Sequence, residues 1–239
     1  YIETTDTKDY ASNLKQFTDA GYDVVITVGF LMAEATTAAA QSAPNTKFIA
    51  VDQPQETTVA NVSGLVFPED KAGYAAGYLA GLLTKTDKLG FVGGVNVPLI
   101  NKFEAGFEAG AKAVDPKIDV QVKYLADDGS GFADPVKGEA AAAGMYDKGA
   151  DVVYHAAGGS GTGVFKAAKK ANKMAIGVDS DQAKTAEAGL RSVILTSMVK
   201  NVDVAVFDYI KAATTGENKA GNIVYDLKQD GVGYSTTGG

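Results

Sequence analysis

Short apolar runs alternate with longer amphipathic segments along almost the whole chain. The pattern predicts strands at residues 23–28, 47–52, 89–95, 118–124, 151–154, 174–179 and 192–196. Between these runs, apolar residues recur at helical spacing over residues 9–20, 31–43, 71–84, 102–113, 135–148, 161–171 and 201–214. Because several strands are apolar at consecutive positions, the alternation indicates an α/β fold in which helices cover both faces of parallel sheets.

One strand–helix–strand unit is written twice in the sequence. Residues 21–52 and 149–179 both begin Gly-x-Asp-Val-Val, turn at glycine, continue through an alanine-rich helix and end a second strand on Val-Asp. Such a repeat predicts two similar lobes rather than one long sheet. Ligands of open parallel sheets bind beyond the carboxyl ends of the strands. We therefore expect the glycine turns and the terminal residues Asp52 and Asp179 to line one cleft from opposite sides.

Composition excludes several classes of function. The 239-residue chain is 46% hydrophobic, has no cysteine and has a formal net charge of −7 at pH 7. Since no cluster of Lys and Arg is present that would neutralise a run of phosphates, nucleic acid is not an expected partner. No apolar run reaches the length of a membrane-spanning helix. Without cysteine, a disulfide framework and a thiolate metal site are both excluded.

The glycine-rich stretch HAAGGSGTG, residues 155–163, follows a predicted strand and precedes a predicted helix. It lacks the Lys and Ser/Thr that follow the last glycine of a P-loop, and it lacks the third glycine of the dinucleotide fingerprint. We expect Gly158 and Gly159 to bring bare backbone close to a ligand. The alternative is that the glycines only let the turn pass close to the neighbouring sheet.

No catalytic or metal-binding constellation is evident. The only histidine, His155, is interpreted as a structural residue, and no Gly-x-Ser-x-Gly nucleophile elbow occurs near it. Three acidic pairs in predicted turns are expected to be solvated and do not form a calcium loop: Asp127-Asp128, Asp179/Asp181 and Glu69-Asp70. A binding protein is therefore favoured over an enzyme, with no metal and no cofactor expected.

Four segments resemble the basic membrane protein family: LGFVGGVNVPLINKFEAGFEAGAKAVDP (89–116), GADVVYHAAGGSGTGVF (149–165), AIGVDSDQ (175–182) and ILTSMVKNVDVAVFDYI (194–210). This family comprises purine-nucleoside-binding lipoproteins that serve as substrate-binding components of bacterial ABC transporters. The resemblance implies the fold of a type I periplasmic binding protein. In that fold, two Rossmann-like lobes with parallel sheets are joined by three hinge crossovers and close on the ligand.

The resemblance also sets expectations for organisation and location. We expect residues 1–87 plus 201–221 to form lobe 1 and residues 88–200 plus 222–239 to form lobe 2. A monomer that delivers its ligand to an ABC permease is implied, held at the cell surface or in the periplasm by a lipid anchor on an N-terminus that precedes this chain. Family members usually carry further elements at both ends, so part of the pocket is expected to lie outside these 239 residues.

A purine base stacks on aromatic side chains, so phenylalanines near the predicted cleft are the candidates for binding the base. Phe30 and Phe103 lie at predicted strand-to-helix junctions, and Phe132 is a weaker candidate in a loop. Core packing is the alternative for each of them. Phe107, one helical turn beyond Phe103, is expected in the core.

Ribose hydroxyls donate hydrogen bonds to carboxylates, so charged residues at predicted strand ends are the candidates for binding the sugar. Asp179 is the expected ribose partner, with capping of the following helix as the alternative. Asp52 is expected to accept from a base N–H or a ribose hydroxyl. Lys200 is expected to donate to a ribose oxygen and to pair with a buried aspartate; the alternative is an exposed lysine at a helix start, which the helix dipole disfavours. The predicted site consists of Gly29, Phe30, Asp52, Phe103, Gly158, Gly159, Asp179 and Lys200.

Two other functions of the same fold stay open at this point. One is binding of a free sugar, although Gly29 and Phe30 favour a flat apolar ligand. The other is a nucleoside-sensing regulatory domain.

Overall fold

The computed structural model describes residues 1–4, 6–217 and 219–238. Its strands are β1 (Val24–Val28), β2 (Lys47–Val51), β3 (Val62–Val66), β4 (Lys88–Val95), β5 (Asp119–Ala126), β6 (Val152–Ala156), β7 (Met174–Asp179), β8 (Ile194–Lys200), β9 (Gly221–Val224) and β10 (Val232–Tyr234). Its helices are α1 (Tyr10–Asp19), α2 (Ala33–Ser42), α3 (Glu69–Leu83), α4 (Pro98–Val114), α5 (Pro135–Asp147), α6 (Gly161–Ala171), α7 (Gln182–Thr185) and α8 (Val202–Thr215). The alternation read from the sequence is confirmed.

The chain divides into two compact units. Unit 1 comprises Tyr1–Phe67 and Val202–Gly231, and unit 2 comprises Pro68–Asn201 and Val232–Gly239. The chain therefore passes from one unit to the other three times. Each unit carries its own sheet with helices, which confirms the predicted fold class.

Unit 1 is built on a parallel sheet with the strand order β1-β2-β3-β9. Leu14 of α1 and Ala40 of α2 pack with Val25, Phe48 and Val62 of the sheet into one apolar cluster. Burial of these side chains holds the two helices against one face of the sheet.

Unit 2 is built on a sheet with the order β10-β8-β7-β6-β4-β5. Its neighbouring strands are parallel except for β10, which runs antiparallel to β8. Strands β4 and β6 are buried along almost their whole length, as expected of parallel strands that are covered on both faces. The core includes Val153 and Ala175 from the sheet with Val164 and Phe165 from α6.

The repeated strand–helix–strand unit is present in both halves of the chain. It forms β1-α2-β2 in unit 1 and β6-α6-β7 in unit 2. Both copies begin at a glycine with positive φ, Gly21 (73°) and Gly149 (98°). Both also end at an aspartate in the left-handed region, Asp52 (φ 61°) and Asp179 (φ 63°). The two segments therefore share backbone geometry as well as sequence.

Two boundaries of the units differ from the predicted lobes. Residues 68–87 belong to unit 2 rather than to lobe 1, and residues 222–231 belong to unit 1 rather than to lobe 2. The second difference arises because β9 pairs with β3. The predicted join at 200/201 lies within one residue of the observed one.

Close packing of α3 against α4 explains why α3 belongs to unit 2. A Cβ atom at Gly77 would overlap the backbone of Phe107, and one at Gly110 would overlap the backbone of Tyr74. Only glycine permits this approach of two helix backbones. The contact joins α3 to the unit that contains α4.

We expect Gly77→Ala to lower the free energy of unfolding by about 1–3 kcal/mol, because the added methyl group must push the two helices apart. Gly144→Ala is the matched control: Gly144 lies in α5, and no atom lies within 4 Å of a Cβ placed there. That variant should gain about 0.5–1 kcal/mol by restricting the unfolded chain. Urea denaturation measures both, and equal effects of the two substitutions would contradict the packing argument.

Candidate functional site

The carboxyl edge of the unit 2 sheet brings together two of the predicted ligand residues. Asp179 is the last residue of β7, and Lys200 is the last residue of the neighbouring parallel strand β8. In the register of these strands, Asp179 lies opposite Val199, directly before Lys200. A carboxylate and an ammonium group therefore leave adjacent strands at the same edge of the sheet.

Asp179 is exposed and has a left-handed backbone conformation. This conformation is uncommon for residues other than glycine, is better tolerated by Asp and Asn, and recurs at ligand sites. The N-cap position of the following helix α7 is Asp181 rather than Asp179. Asp179 is therefore not the N-cap residue of α7, and its role as the ribose partner stays a prediction.

Lys200 is buried and paired with a glutamate. Its Nζ atom lies 3.2 Å from Oε1 of Glu69, and the two side chains are 3% and 1% exposed. The alternative of an exposed lysine at a helix start is thus wrong. Glu69 is the ion-pair partner that the structure describes, and pairing of Lys200 with a buried aspartate stays a prediction.

The sequence pattern predicts Glu69 in a solvated turn, and this prediction is wrong, because its side chain is 1% exposed. Glu69 is the first residue of α3, where the partial positive charge of the helix N-terminus favours a carboxylate. Its Oε2 atom lies 3.7 Å from Nζ of Lys102, which is an exposed side chain. The two oxygens of Glu69 therefore face two different lysines.

Phe103 is buried beneath Lys200. The Nζ atom of Lys200 lies 5.1 Å from the centroid of the Phe103 ring, at cation–π distance. That Phe103 also stacks on a purine stays a prediction. Phe107 is fully buried and packs against Phe91 and Tyr154, which confirms its expected place in the core.

Tyr154 of β6 adds a hydroxyl to the same region. Burial raises the pKa of Tyr154 well above its usual value, and the nearby carboxylates of Asp179 and Glu69 raise it further. Among the residues that the structure describes, none forms a hydrogen bond with this hydroxyl. The hydroxyl of Tyr154 therefore stays protonated and can donate a hydrogen bond, and the charges of the two carboxylates favour this neutral form.

The glycine loop divides into two parts with different roles. A Cβ atom at Gly161 would overlap the ring of His155, and one at Gly163 would overlap the backbone of Pro135, so these two glycines serve packing. Gly158 and Gly159 are exposed, and Gly158 has a φ of 52°. Contact of Gly158 and Gly159 with a ligand stays a prediction.

Ser160 in this loop serves structure rather than nucleophilic chemistry. Its hydroxyl donates to the carbonyl of Gly131 at 2.8 Å and accepts from the amide of Asp134 at 2.8 Å. Since the side chain is fully buried, these bonds fix the loop before α5 against the loop before α6.

His155 is structural, as interpreted from the sequence. It is fully buried, its ring packs edge-on against Phe165, and Nε2 lies 3.0 Å from Oε1 of Gln182. This oxygen also accepts from the amide of Val178, so Nε2 carries the proton. Burial lowers the pKa of His155 to about 4, and the hydrogen bond to Gln182 opposes this shift.

In unit 1, the predicted residues Gly29, Phe30 and Asp52 lie at the carboxyl ends of β1 and β2. The amide of Gly29 donates to the carbonyl of Val51 at 3.0 Å. Phe30 begins a short 3₁₀ turn before α2 and is half-buried. The structure therefore brings the first glycine turn beside the end of β2, directly before Asp52.

A buried glutamine fixes this turn. Nε2 of Gln53 donates to Oγ1 of Thr27 and to the carbonyl of Gly29, both at 3.0 Å. Thr27 accepts a second hydrogen bond from Thr36, at 3.1 Å. Gln53 thus ties the glycine turn to the end of β2.

Sequence reasoning missed Gln53, Glu69 and Tyr154. Gln53 directly follows the terminal aspartate of the first repeat, a position where a polar residue was a usable signal. Glu69 directly follows proline at a helix start, which indicates a favourable helix-dipole charge but not burial. Tyr154 lies inside an apolar strand, where aromatic residues are ordinary.

Comparison with known proteins identifies the family. The family model for Bmp, described as ABC transporter substrate-binding protein PnrA-like, matches residues 1–237. The chain belongs to the Bmp family. Within the described ranges, no helix combines the length and hydropathy of a membrane span.

Individual relatives agree with this assignment. A CD4+ T-cell-stimulating antigen of Listeria monocytogenes is 39% identical and the alignment covers 98% of this chain and 68% of the relative. The ABC transporter nucleoside-binding protein BmpA of Lactococcus lactis is 37% identical, with 97% and 69% covered. A solved ABC transporter solute-binding protein from Aeropyrum pernix is 26% identical, with a TM-score of 0.83 and coverage of 97% and 65%.

Membership of the Bmp family defines the general function. The protein is a substrate-binding protein of an ABC transporter and not an enzyme. It acts outside the cytoplasm, and its partners are a small-molecule ligand and an ABC permease.

The buried histidine yields a pH prediction. The ordinary histidine pKa of 6.5 falls to about 4 in the folded protein, so the unfolded chain takes up the proton first as the pH falls. The free energy of unfolding is therefore expected to decrease between about pH 6.5 and about pH 4, by up to about 1.4 kcal/mol per pH unit from this group.

His155→Gln should remove that part of the slope. Urea denaturation at several pH values would measure it in both proteins, so that carboxylate titrations common to both cancel in the difference. Identical slopes for the variant and the wild type would refute the assignment of a buried, neutral His155.

Proposed function

We propose that this substrate-binding protein takes a purine nucleoside as its ligand and supplies it to an ABC importer. The observation that carries the proposal is the pair at the carboxyl edge of the unit 2 sheet, where Asp179 and Lys200 end neighbouring strands. A carboxylate accepts from ribose hydroxyls, and an ammonium group donates to ribose oxygens. The name of the Lactococcus relative, a nucleoside-binding protein, supports the same ligand class.

Each unit is assigned its own part of the recognition. In unit 2, Asp179 and Lys200 bind the sugar, and the exposed backbone of Gly158 and Gly159 approaches the ligand. In unit 1, Asp52 accepts from a base N–H or a ribose hydroxyl, and the half-buried Phe30 next to Gly29 offers a face to the base. Phe103 is the second aromatic candidate and also supports Lys200.

The family resemblance also supports a proposal for the oligomeric state and the location of the protein. We assign the protein as a monomer anchored at the cell surface or in the periplasm by lipid on an N-terminal segment that precedes these residues. Ligand selectivity does not depend on that lipid anchor.

Isothermal titration calorimetry tests the proposed ligand class. The protein, with the further elements that family members carry at both ends, is titrated with guanosine, inosine, adenosine, cytidine and ribose. The proposal predicts binding of one or more purine nucleosides and no heat with ribose or cytidine. Binding of ribose alone would instead assign a sugar-binding protein, and absence of binding to all three purine nucleosides would contradict the proposal.

Asp179→Asn tests the sugar contact. Asparagine keeps the size of the side chain and tolerates the left-handed backbone, but it replaces a charged acceptor by a neutral one. We expect the Kd of the purine nucleosides to rise about 10- to 100-fold, since hydrogen bonds to charged groups contribute about 1.5–3 kcal/mol.

Asp87→Asn is the matched control for this substitution. Asp87 is exposed, has a φ of 55° and directly precedes β4, so it shares the charge and the backbone conformation of Asp179 but lies at the amino edge of the same sheet. This variant should bind like the wild type. An unchanged Kd for Asp179→Asn would remove Asp179 from the site.

A further inference from the structure

The pair formed by Glu69 and Lys200 is a costly arrangement. With side chains 1% and 3% exposed, both charges have lost almost all contact with water. Desolvation of two ions offsets most of their mutual attraction, so a buried pair contributes little to stability unless further contacts support it. Burial of the pair is thus weak evidence for a stabilising role, and its place at the carboxyl edge of the sheet, beside Asp179, points to a role in binding.

Glu69 itself is held firmly. It lies at the first position of α3, where the helix N-terminus favours negative charge. Its two oxygens face Lys200 at 3.2 Å and Lys102 at 3.7 Å. Helix α3 in turn packs against α4 at backbone contact through glycine, so the position of the carboxylate is set by the rigid helix pair.

Lys200 is long and flexible in isolation, and its position depends on its neighbours. Glu69 attracts its ammonium group, and the ring of Phe103 lies 5.1 Å from Nζ. Because a lysine side chain otherwise samples many rotamers, these two contacts reduce the conformational entropy that a ligand would have to restrict.

We propose that Glu69 is a positioning residue, which holds the ammonium group of Lys200 in place for the ligand and acts on binding only through Lys200. This inference rests on the proposed function for its binding readout. The alternative is a structural role, in which Glu69 stabilises unit 2 and Lys200 has no part in binding.

A double-mutant cycle separates these roles. The Kd for guanosine, inosine and adenosine is measured at low temperature for Glu69→Gln, Lys200→Met and the double variant. Circular dichroism first checks that each variant is folded like the wild type. Asp70→Asn is the matched control, because Asp70 also lies in the first turn of α3 but is exposed.

The positioning role predicts a non-additive result. Glu69→Gln should weaken binding about 10-fold or more, since Lys200 loses a charged hydrogen-bond partner. The double variant should bind no more weakly than Lys200→Met, and Asp70→Asn should bind like the wild type. Wild-type affinity of Glu69→Gln, or losses that multiply in the double variant, would overturn the inference.

A ligand-free measurement keeps the inference testable if a variant fails to fold or if no nucleoside binds. In ¹⁵N-detected NMR of the wild-type protein, a lysine ammonium resonance with slow hydrogen exchange is expected for Lys200, with a scalar coupling across the hydrogen bond to the Glu69 carboxylate. Asp70→Asn should retain both signals. Their absence in wild type would overturn the positioning role, whereas their presence without nucleoside binding would refute only the proposed function.

Discussion

Parallel pairing of strands governs where the functional side chains of this protein lie. Parallel strands all end at the same edge of a sheet, and the chain must return through a crossover before the next strand begins. Residues that are far apart in the sequence, such as Asp179 and Lys200, therefore emerge side by side. The same geometry in unit 1 brings Gly29 beside Val51, directly before Asp52. A family of binding proteins can thus change its ligand through the strand ends while the sheets stay unchanged.

Most of the fold was predictable because its signals are local. Hydrophobic periodicity located α6 (Gly161–Ala171) and β7 (Met174–Asp179) at their observed bounds, and the repeat predicted that Asp52 and Asp179 lie at the ends of corresponding strands. The pattern missed β3, β9 and β10. Strands β9 and β10 are short, and the place of all three depends on the strands with which they pair. The assignment of α3 to lobe 1 was wrong. Its contact with α4 through glycine is a tertiary interaction, which the spacing of apolar residues along the chain does not predict.

The places of the candidate residues in the fold were predictable from the sequence, but their pairings were not. Aspartates at strand ends and glycines in turns follow from turn chemistry and repeat symmetry. Burial of a charge does not follow from these local signals, because it depends on which distant residue lies opposite, as Glu69 does for Lys200. The two units fix their strand ends by different contacts. In unit 1 the neutral amide of Gln53 fixes the glycine turn, and in unit 2 an ion pair with Glu69 holds Lys200.

The proposed function depends on binding of a ribose ring by the strand ends of unit 2. A crystal structure of the protein grown with guanosine tests it most directly. We expect a carboxylate oxygen of Asp179 and the Nζ atom of Lys200 within about 2.7–3.2 Å of ribose oxygens, as hydrogen bonds require. A complex in which the ribose contacts neither residue would contradict it.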